Sequence, residues 1–154
     1  MRASLVGVMS GMRSMAGIAT LSRHAGAHPK GFRNTIFALL ASPVTGKLAT
    51  AAQFGEIVVD KLPILGSRTD PQPLIGRMVF GAVAGAAAMS EARKPAVLGI
   101  LIGASSALVS SYAFYWLRRE TGKALHLPDP IVALAEDAAV FGFGSLVEST
   151  YADD

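Results

Sequence analysis

Residues 43–61, PVTGKLATAAQFGEIVVDK, form a long apolar run that contains two carboxylates. Glu56 and Asp60 are four residues apart, so a helix would carry them on one face. At 1.5 Å per residue, this helix would cover about 28 Å, which is close to the thickness of the hydrocarbon core of a bilayer. Charge is costly inside lipid, so carboxylates in such a run indicate a buried polar site.

The composition of the whole chain agrees with this interpretation. Hydrophobic residues make up 51% of the chain, charged residues make up 16%, and the mean hydropathy is +0.44. Soluble domains usually carry charge on about a quarter of their residues. The sequence therefore predicts a small multi-pass membrane protein.

Five apolar stretches bounded by proline, glycine or charge predict the architecture. Irregular backbone cannot face lipid, so helices are the structure that fits these lengths. We predict an all-α, integral membrane helical bundle of about five transmembrane helices in one domain, residues 1–154. The predicted spans are 5–21, 43–61, 74–89, 95–116 and 130–147.

Three further details bear on this architecture. Arg13 interrupts the first apolar stretch, which favours a membrane helix over a cleaved signal peptide. The segment 31–41 is too short to span; it either lies at the interface or extends the second helix. Lysine and arginine are nearly balanced between the two sides, so they favour an N-terminus inside only slightly.

Small residues recur at helical spacing within the predicted spans. Close backbone approach through small residues drives helix association in lipid. We expect three helices to pack through glycines at these positions, unless the same faces line a cavity. The positions are Gly7, Gly11, Gly81, Gly85, Gly99 and Gly103.

Polar residues inside the spans define a candidate intramembrane site. One interpretation is a structural network of ion pairs between the acidic residues and the two arginines. Another is a site for an ion, a proton or a small polar solute, because clustered carboxylates in low dielectric bind protons more readily. A third is that charges near the span ends, such as Asp60 and Lys61, reach the headgroups and are solvated. The candidates are Arg13, Gln53, Glu56, Asp60, Arg77, Glu136 and Asp137.

Several other functions are disfavoured. The chain has no cysteine, and its three histidines, all in predicted connecting segments, are expected at the surface. We find no catalytic motif, expect no cofactor, and exclude nucleic acid because the basic residues are scattered. Two or three carboxylates could ligate a hard divalent cation, so a metal site stays open.

Particular strings carry a family resemblance. They are Gly11-Met12-Arg13-Ser14-Met15, Gly55-Glu56 leading to Asp60-Lys61-Leu62-Pro63, Ser67-Arg68-Thr69, and Leu134-Ala135-Glu136-Asp137 after Pro128-Asp129-Pro130. Nearly the whole chain resembles the small bacterial multi-pass membrane proteins grouped as Domain of Unknown Function 4126. This resemblance implies a location in the bacterial inner (cytoplasmic) membrane and a shared set of polar residues, but no established activity.

The sequence leaves two functions to compare. The first is a transporter or channel component that moves an ion or small polar solute past the buried charges. The alternative is a structural or assembly protein in which the same charges form internal ion pairs. The expected partners are the lipid bilayer, a further copy of the chain, and the transported ion or solute.

Overall fold

In the computed structural model, the described residues are 1–32, 36–59, 71–125 and 129–152. They form helices and contain no strand, which confirms the all-α prediction. The α-helices of this described part are α1 (Arg2–Met12), α2 (Ala16–Ala27), α3 (Pro43–Val59), α4 (Pro71–Glu91), α5 (Ala96–Leu125) and α6 (Asp129–Ala152). Two of them, Pro71–Glu91 and Ala96–Ala124, are long and apolar enough to cross a membrane.

The first predicted span is not one helix. Residues 5–21 are divided between α1 and α2, because Arg13 takes an extended conformation (φ −145°, ψ 128°) that ends α1. The chain then turns back on itself. A Cβ atom added to Gly17 of α2 would lie 2.5 Å from the carbonyl oxygen of Val6 in α1. The prediction of a continuous helix over 5–21 is therefore wrong.

The two ends of this helical hairpin meet the same end of α6. Arg2, at the start of α1, donates from Nη2 to the carbonyl oxygen of Thr150 at 2.8 Å. Arg23, near the end of α2, donates from Nε to Glu148 Oε1 at 3.1 Å. The turn at Arg13 therefore lies deep in the bundle, and we call the opposite end of the hairpin its base.

The glycine positions lie where α1, α4 and α5 pack together. A Cβ atom at Gly81 would be 2.7 Å from the Cβ atom of Ala107, and one at Gly7 would be 2.6 Å from the carbonyl oxygen of Gly103. Both distances are shorter than real Cβ contacts allow, so these positions admit no side chain without movement. Gly11, Gly85 and Gly99 are equally crowded by backbone or side-chain atoms of a neighbouring helix.

The helix boundaries follow local signals in most places. The hydroxyl of Ser42 accepts a hydrogen bond from the backbone N–H of Val44 at 3.3 Å, so it caps α3, and Pro43 is the first helical residue, as predicted. Residues 38–41 form a 3₁₀ turn that ends at this cap. The segment 31–41 therefore does not extend α3.

The turn between α4 and α5 has a Schellman geometry. The N–H of Lys94 donates to the carbonyl oxygen of Met89, and Arg93 takes a positive φ of 54°. Helix α5 then starts at Ala96 and runs to Leu125, well beyond the predicted end at residue 116. The residues after Trp116 favour a helix, and Lys123 pairs with Glu120 on its surface.

Candidate functional site

The turn of the hairpin creates unpaired backbone groups inside the bundle. Where a helix stops, its last carbonyl oxygens and the first N–H groups of the next helix lose their partners within the helix. Here both ends face each other around Arg13, which is 2% exposed. Other helices must supply the missing hydrogen bonds, and this requirement positions the polar side chains of the site.

Glu56 of α3 accepts hydrogen bonds from the backbone N–H groups just before the start of α2. Its Oε1 accepts from the backbone N–H of Ser14 at 3.1 Å, and its Oε2 accepts from that of Met15 at 3.0 Å. A helix N-terminus carries a partial positive charge, so a carboxylate is favourable there. The half-buried Glu56 thus holds α3 against the hairpin turn.

Arg77 of α4 and Ser111 of α5 donate hydrogen bonds to a carbonyl oxygen at the end of α1. Nη1 of Arg77 donates to the carbonyl oxygen of Gly11 at 3.3 Å, and Oγ of Ser111 donates to the same oxygen at 3.1 Å. The end of a helix carries a partial negative charge, which a guanidinium stabilises. The turn therefore has a cation at one helix end and a carboxylate at the other.

Arg13 itself pairs with Asp137 of α6. Its Nε donates to Asp137 Oδ1 at 2.9 Å, and its Nη2 also contacts that oxygen. Asp137 is only 6% exposed, so both charges are removed from solvent. Burying such a pair costs desolvation that the mutual attraction must offset, and losing one partner strands the other charge.

Two acceptor atoms at this level have no hydrogen-bond partner among the described residues. One is Oδ2 of Asp137, and the other is Oε1 of Gln53, whose side chain is 2% exposed. Gln53 is one helical turn before Glu56 on the same face of α3. Buried acceptors are usually paired, so these atoms are candidates for binding a cation or a hydrogen-bond donor.

The structure brings four of the predicted polar residues to one turn and places a fifth next to it. Arg13, Glu56, Arg77 and Asp137 surround residues 11–15, and Gln53 is adjacent on α3. Asp60 and the side chain of Glu136 lie outside the described residues.

The acidic partners differ in part from the expected ones. The sequence predicts that Glu56 or Glu136 lies within reach of Arg13 or Arg77. Glu56 accepts from backbone N–H groups and Asp137 binds Arg13, while the contact expected for Glu136 stays a prediction, since its side chain lies outside the described residues. The sequence did not indicate Ser111 or the carbonyl oxygen of Gly11, because their role follows from a helix break that the apolar pattern of residues 5–21 does not predict.

A second polar cluster corrects the prediction for one histidine, His24; His28 is exposed as expected, and His126 lies outside the described residues. His24 lies within α2 rather than in a loop, is 9% exposed, and its Nε2 is 2.7 Å from Glu91 Oε1 of α4. Its ring stacks on His28, and Phe32 meets it edge-on. No cluster of three or more His, Asp or Glu residues suited to a metal occurs in the described part of the chain.

These features define a class: an all-helical protein with two helices apolar enough to cross a membrane and a helical hairpin that buries charge at its turn. The chain matches the family model described as Domain of unknown function (DUF4126) over residues 2–147, and it belongs to that family. No curated protein and no solved structure matches it significantly.

Proposed function

We propose that this chain is a multi-pass protein of the bacterial inner membrane that moves a cation, a proton or a small polar solute past the hairpin turn. Helices α3 to α6 would cross the bilayer, and α1 and α2 would form a re-entrant hairpin. At 1.5 Å per residue, the 11 residues of α1 and the 12 of α2 each cover about 17 Å, or roughly half a hydrocarbon core.

The surface of α5 supports a lipid environment. Only 28% of its most apolar 18-residue stretch is buried within the protein. Large apolar side chains therefore cover its outer face; for example, Leu101 is 62% exposed and Val109 is 67% exposed. Soluble monomers rarely expose apolar surface over such a length, whereas lipid covers it at no cost.

The observation that carries the transport proposal is the buried, charged turn with two acceptor atoms left over. Non-helical backbone at membrane depth occurs where it is buried in protein or lines a polar cavity. Many transporters place their substrates at the ends of broken helices near the middle of the bilayer. Oδ2 of Asp137 and Oε1 of Gln53 would bind a cation or a donor at such a point.

A structural role is the second candidate, and a different observation favours it. Both oxygens of Glu56 and the guanidinium of Arg13 already have partners within the protein. Charges that are paired within the protein would serve to hold the hairpin in place. Transport would use Oε1 of Gln53 as a ligand, whereas the structural role would not need this atom.

The re-entrant hairpin makes a direct prediction about topology. If the hairpin returns to its side of entry, residue 26 and the N-terminus lie on one side and residue 122 on the other. The chain has no cysteine, so single cysteines can be introduced cleanly. Gly26 and Gly122 suit this purpose, since an added Cβ atom at either would meet nothing within 4 Å.

We expect a membrane-impermeant maleimide to label Gly26→Cys and a cysteine in a short N-terminal extension from the same side. Gly122→Cys should be labelled only from the opposite side. Labelling of residue 26 and the N-terminus from opposite sides would show five crossing helices and refute the hairpin. Basic residues at the base, including Arg2, Lys30, Arg93 and Lys94, favour the cytoplasm for that side.

Cation transport is tested by flux into proteoliposomes that contain a trapped dye selective for H⁺, Na⁺ or K⁺, with a gradient of that cation imposed. We expect flux above that of protein-free liposomes, and a loss of at least about tenfold in Gln53→Met, because the variant removes an acceptor that the cation needs. The melting temperature should stay the same or rise, since Oε1 of Gln53 has no partner among the described residues.

Gln72→Met is the matched control, because Gln72 is exposed in the first turn of α4. It should leave the flux unchanged. If wild-type protein carries no more of any of the three cations than empty liposomes do, the proposal of cation transport is wrong; if Gln53→Met retains full flux, Gln53 is not part of the site.

A further inference from the structure

An open groove of about 650 Å³ lies between α2 and α3; it begins at the base of the hairpin and runs along α3 as far as Phe54. Its walls include Ser22 and Arg23 of α2, and Ser42, Lys47 and Phe54 on the side of α3. Gly26 of α2 and Gly46 of α3 also line it, and a Cβ atom at Gly46 would lie 3.9 Å from Cβ of Ser22. The groove follows α3 from its first residue toward the interior of the bundle.

The end of the groove at the base of the hairpin, which we call its upper end, is positively charged. Lys47 is exposed, and Arg23 is fixed by Glu148 Oε1 at 3.1 Å and by Thr20 Oγ1 at 3.0 Å. Glu148 neutralises part of the charge of Arg23, so Lys47 and the N-terminus of α3 carry the excess. The first turn of α3 has no acidic residue to compensate its partial positive charge.

A buried hydroxyl lines the same groove. Ser22 is 3% exposed, and its Oγ has no hydrogen-bond partner among the described residues. A hydroxyl is a donor that suits a phosphate oxygen, and buried polar atoms normally have a partner. The unpaired hydroxyl, the two basic side chains and the helix N-terminus together have the chemistry of an anion site.

The lower end of the groove is apolar, which distinguishes a lipid from a free anion. Phe54 is about 16 Å along α3 from Pro43, and its ring packs 6.0 Å from that of Phe141 of α6. A soluble phosphate would use only the upper end. A phospholipid would place its phosphate between Lys47 and Ser22 and its acyl chain along Phe54.

From these observations we infer that the groove binds the phosphate of an anionic phospholipid. The inference rests on the membrane location proposed above but not on transport. Lipid binding is measured on purified protein in detergent, so its failure and a failure of transport are distinguishable.

The test is native mass spectrometry of the detergent-solubilised protein titrated with phosphatidylglycerol, with phosphatidylcholine or with inorganic phosphate. We expect phosphatidylglycerol to be retained and phosphatidylcholine to be retained at least about tenfold less. Lys47→Gln should lower retention of phosphatidylglycerol about tenfold, the usual effect of losing a charged hydrogen bond. Ser22→Ala should lower it by a smaller factor.

Lys123→Gln is the matched control, because Lys123 is exposed near the end of α5, far from the base. It should retain the lipid like the wild-type protein. Equal retention of both lipids, an equal loss in Lys123→Gln and Lys47→Gln, or displacement of phosphatidylglycerol by millimolar inorganic phosphate would overturn the assignment. The last result would identify the groove as a site for a soluble phosphate.

Discussion

Asp137→Leu should lower the free energy of unfolding by about 3–5 kcal/mol, because it leaves the guanidinium of Arg13 buried without its carboxylate. The comparison is Glu148→Leu, which breaks the Arg23–Glu148 pair. Those side chains are 41% and 46% exposed, so the control should cost less than about 1 kcal/mol. Unfolding in mixed detergent micelles measures both.

A double variant separates the pair from the rest of the site. Replacing both charges, in Arg13→Met with Asp137→Leu, should recover most of the stability that Asp137→Leu loses, since no stranded charge remains. Exchanging the two charges, in Arg13→Asp with Asp137→Arg, should be tolerated if the pair is structural and should abolish transport if the pair belongs to a transport site. If Asp137→Leu is no more costly than Glu148→Leu, the Arg13–Asp137 pair does not stabilise the turn.

Gly85→Ala should destabilise the protein by about 1–3 kcal/mol, even though alanine favours a helix over glycine by about 1 kcal/mol. The added Cβ atom would lie 2.9 Å from the Cα atom of Gly103 and 3.1 Å from its backbone nitrogen, and backbone atoms cannot rotate away. Helices α4 and α5 would have to separate. The melting temperature in detergent measures the effect.

Gly76→Ala is the matched control on the same helix. An added Cβ atom there meets nothing within 4 Å, so only the gain in helix propensity remains. The two alanine variants should therefore shift the melting temperature in opposite directions. A neutral Gly85→Ala would mean that α4 and α5 do not approach as closely as the structure has them.

The parts of the fold that local chemistry determines were predictable from the sequence. Ser42 and Pro43 define the start of α3, and Asp129 with Pro130 marks the start of α6, where it was expected. The glycine spacing indicated the faces on which α1, α4 and α5 meet. Long apolar runs with buried charge also indicated a polar site inside the bundle.

The break at Arg13 was not predictable in the same way, because distant residues determine it. Residues 5–21 carry no proline, and the carboxylate that caps the start of α2 comes from Glu56, in another helix. Gly11 and Ser14 beside Arg13 were the local signal, since both weaken a helix. The helices before and after Arg13 each cover about half the thickness of a bilayer, which favours a re-entrant hairpin over a single spanning helix.

The same separation along the chain governs the order in which the protein can assemble. Arg13 leaves the ribosome before Asp137, which follows 124 positions later. At about 5–20 residues per second, roughly 6–25 s pass between the synthesis of the two. The Arg13–Asp137 pair therefore cannot form until α6 has been made. The charge of Arg13 is thus synthesised well before the carboxylate that neutralises it inside the bundle.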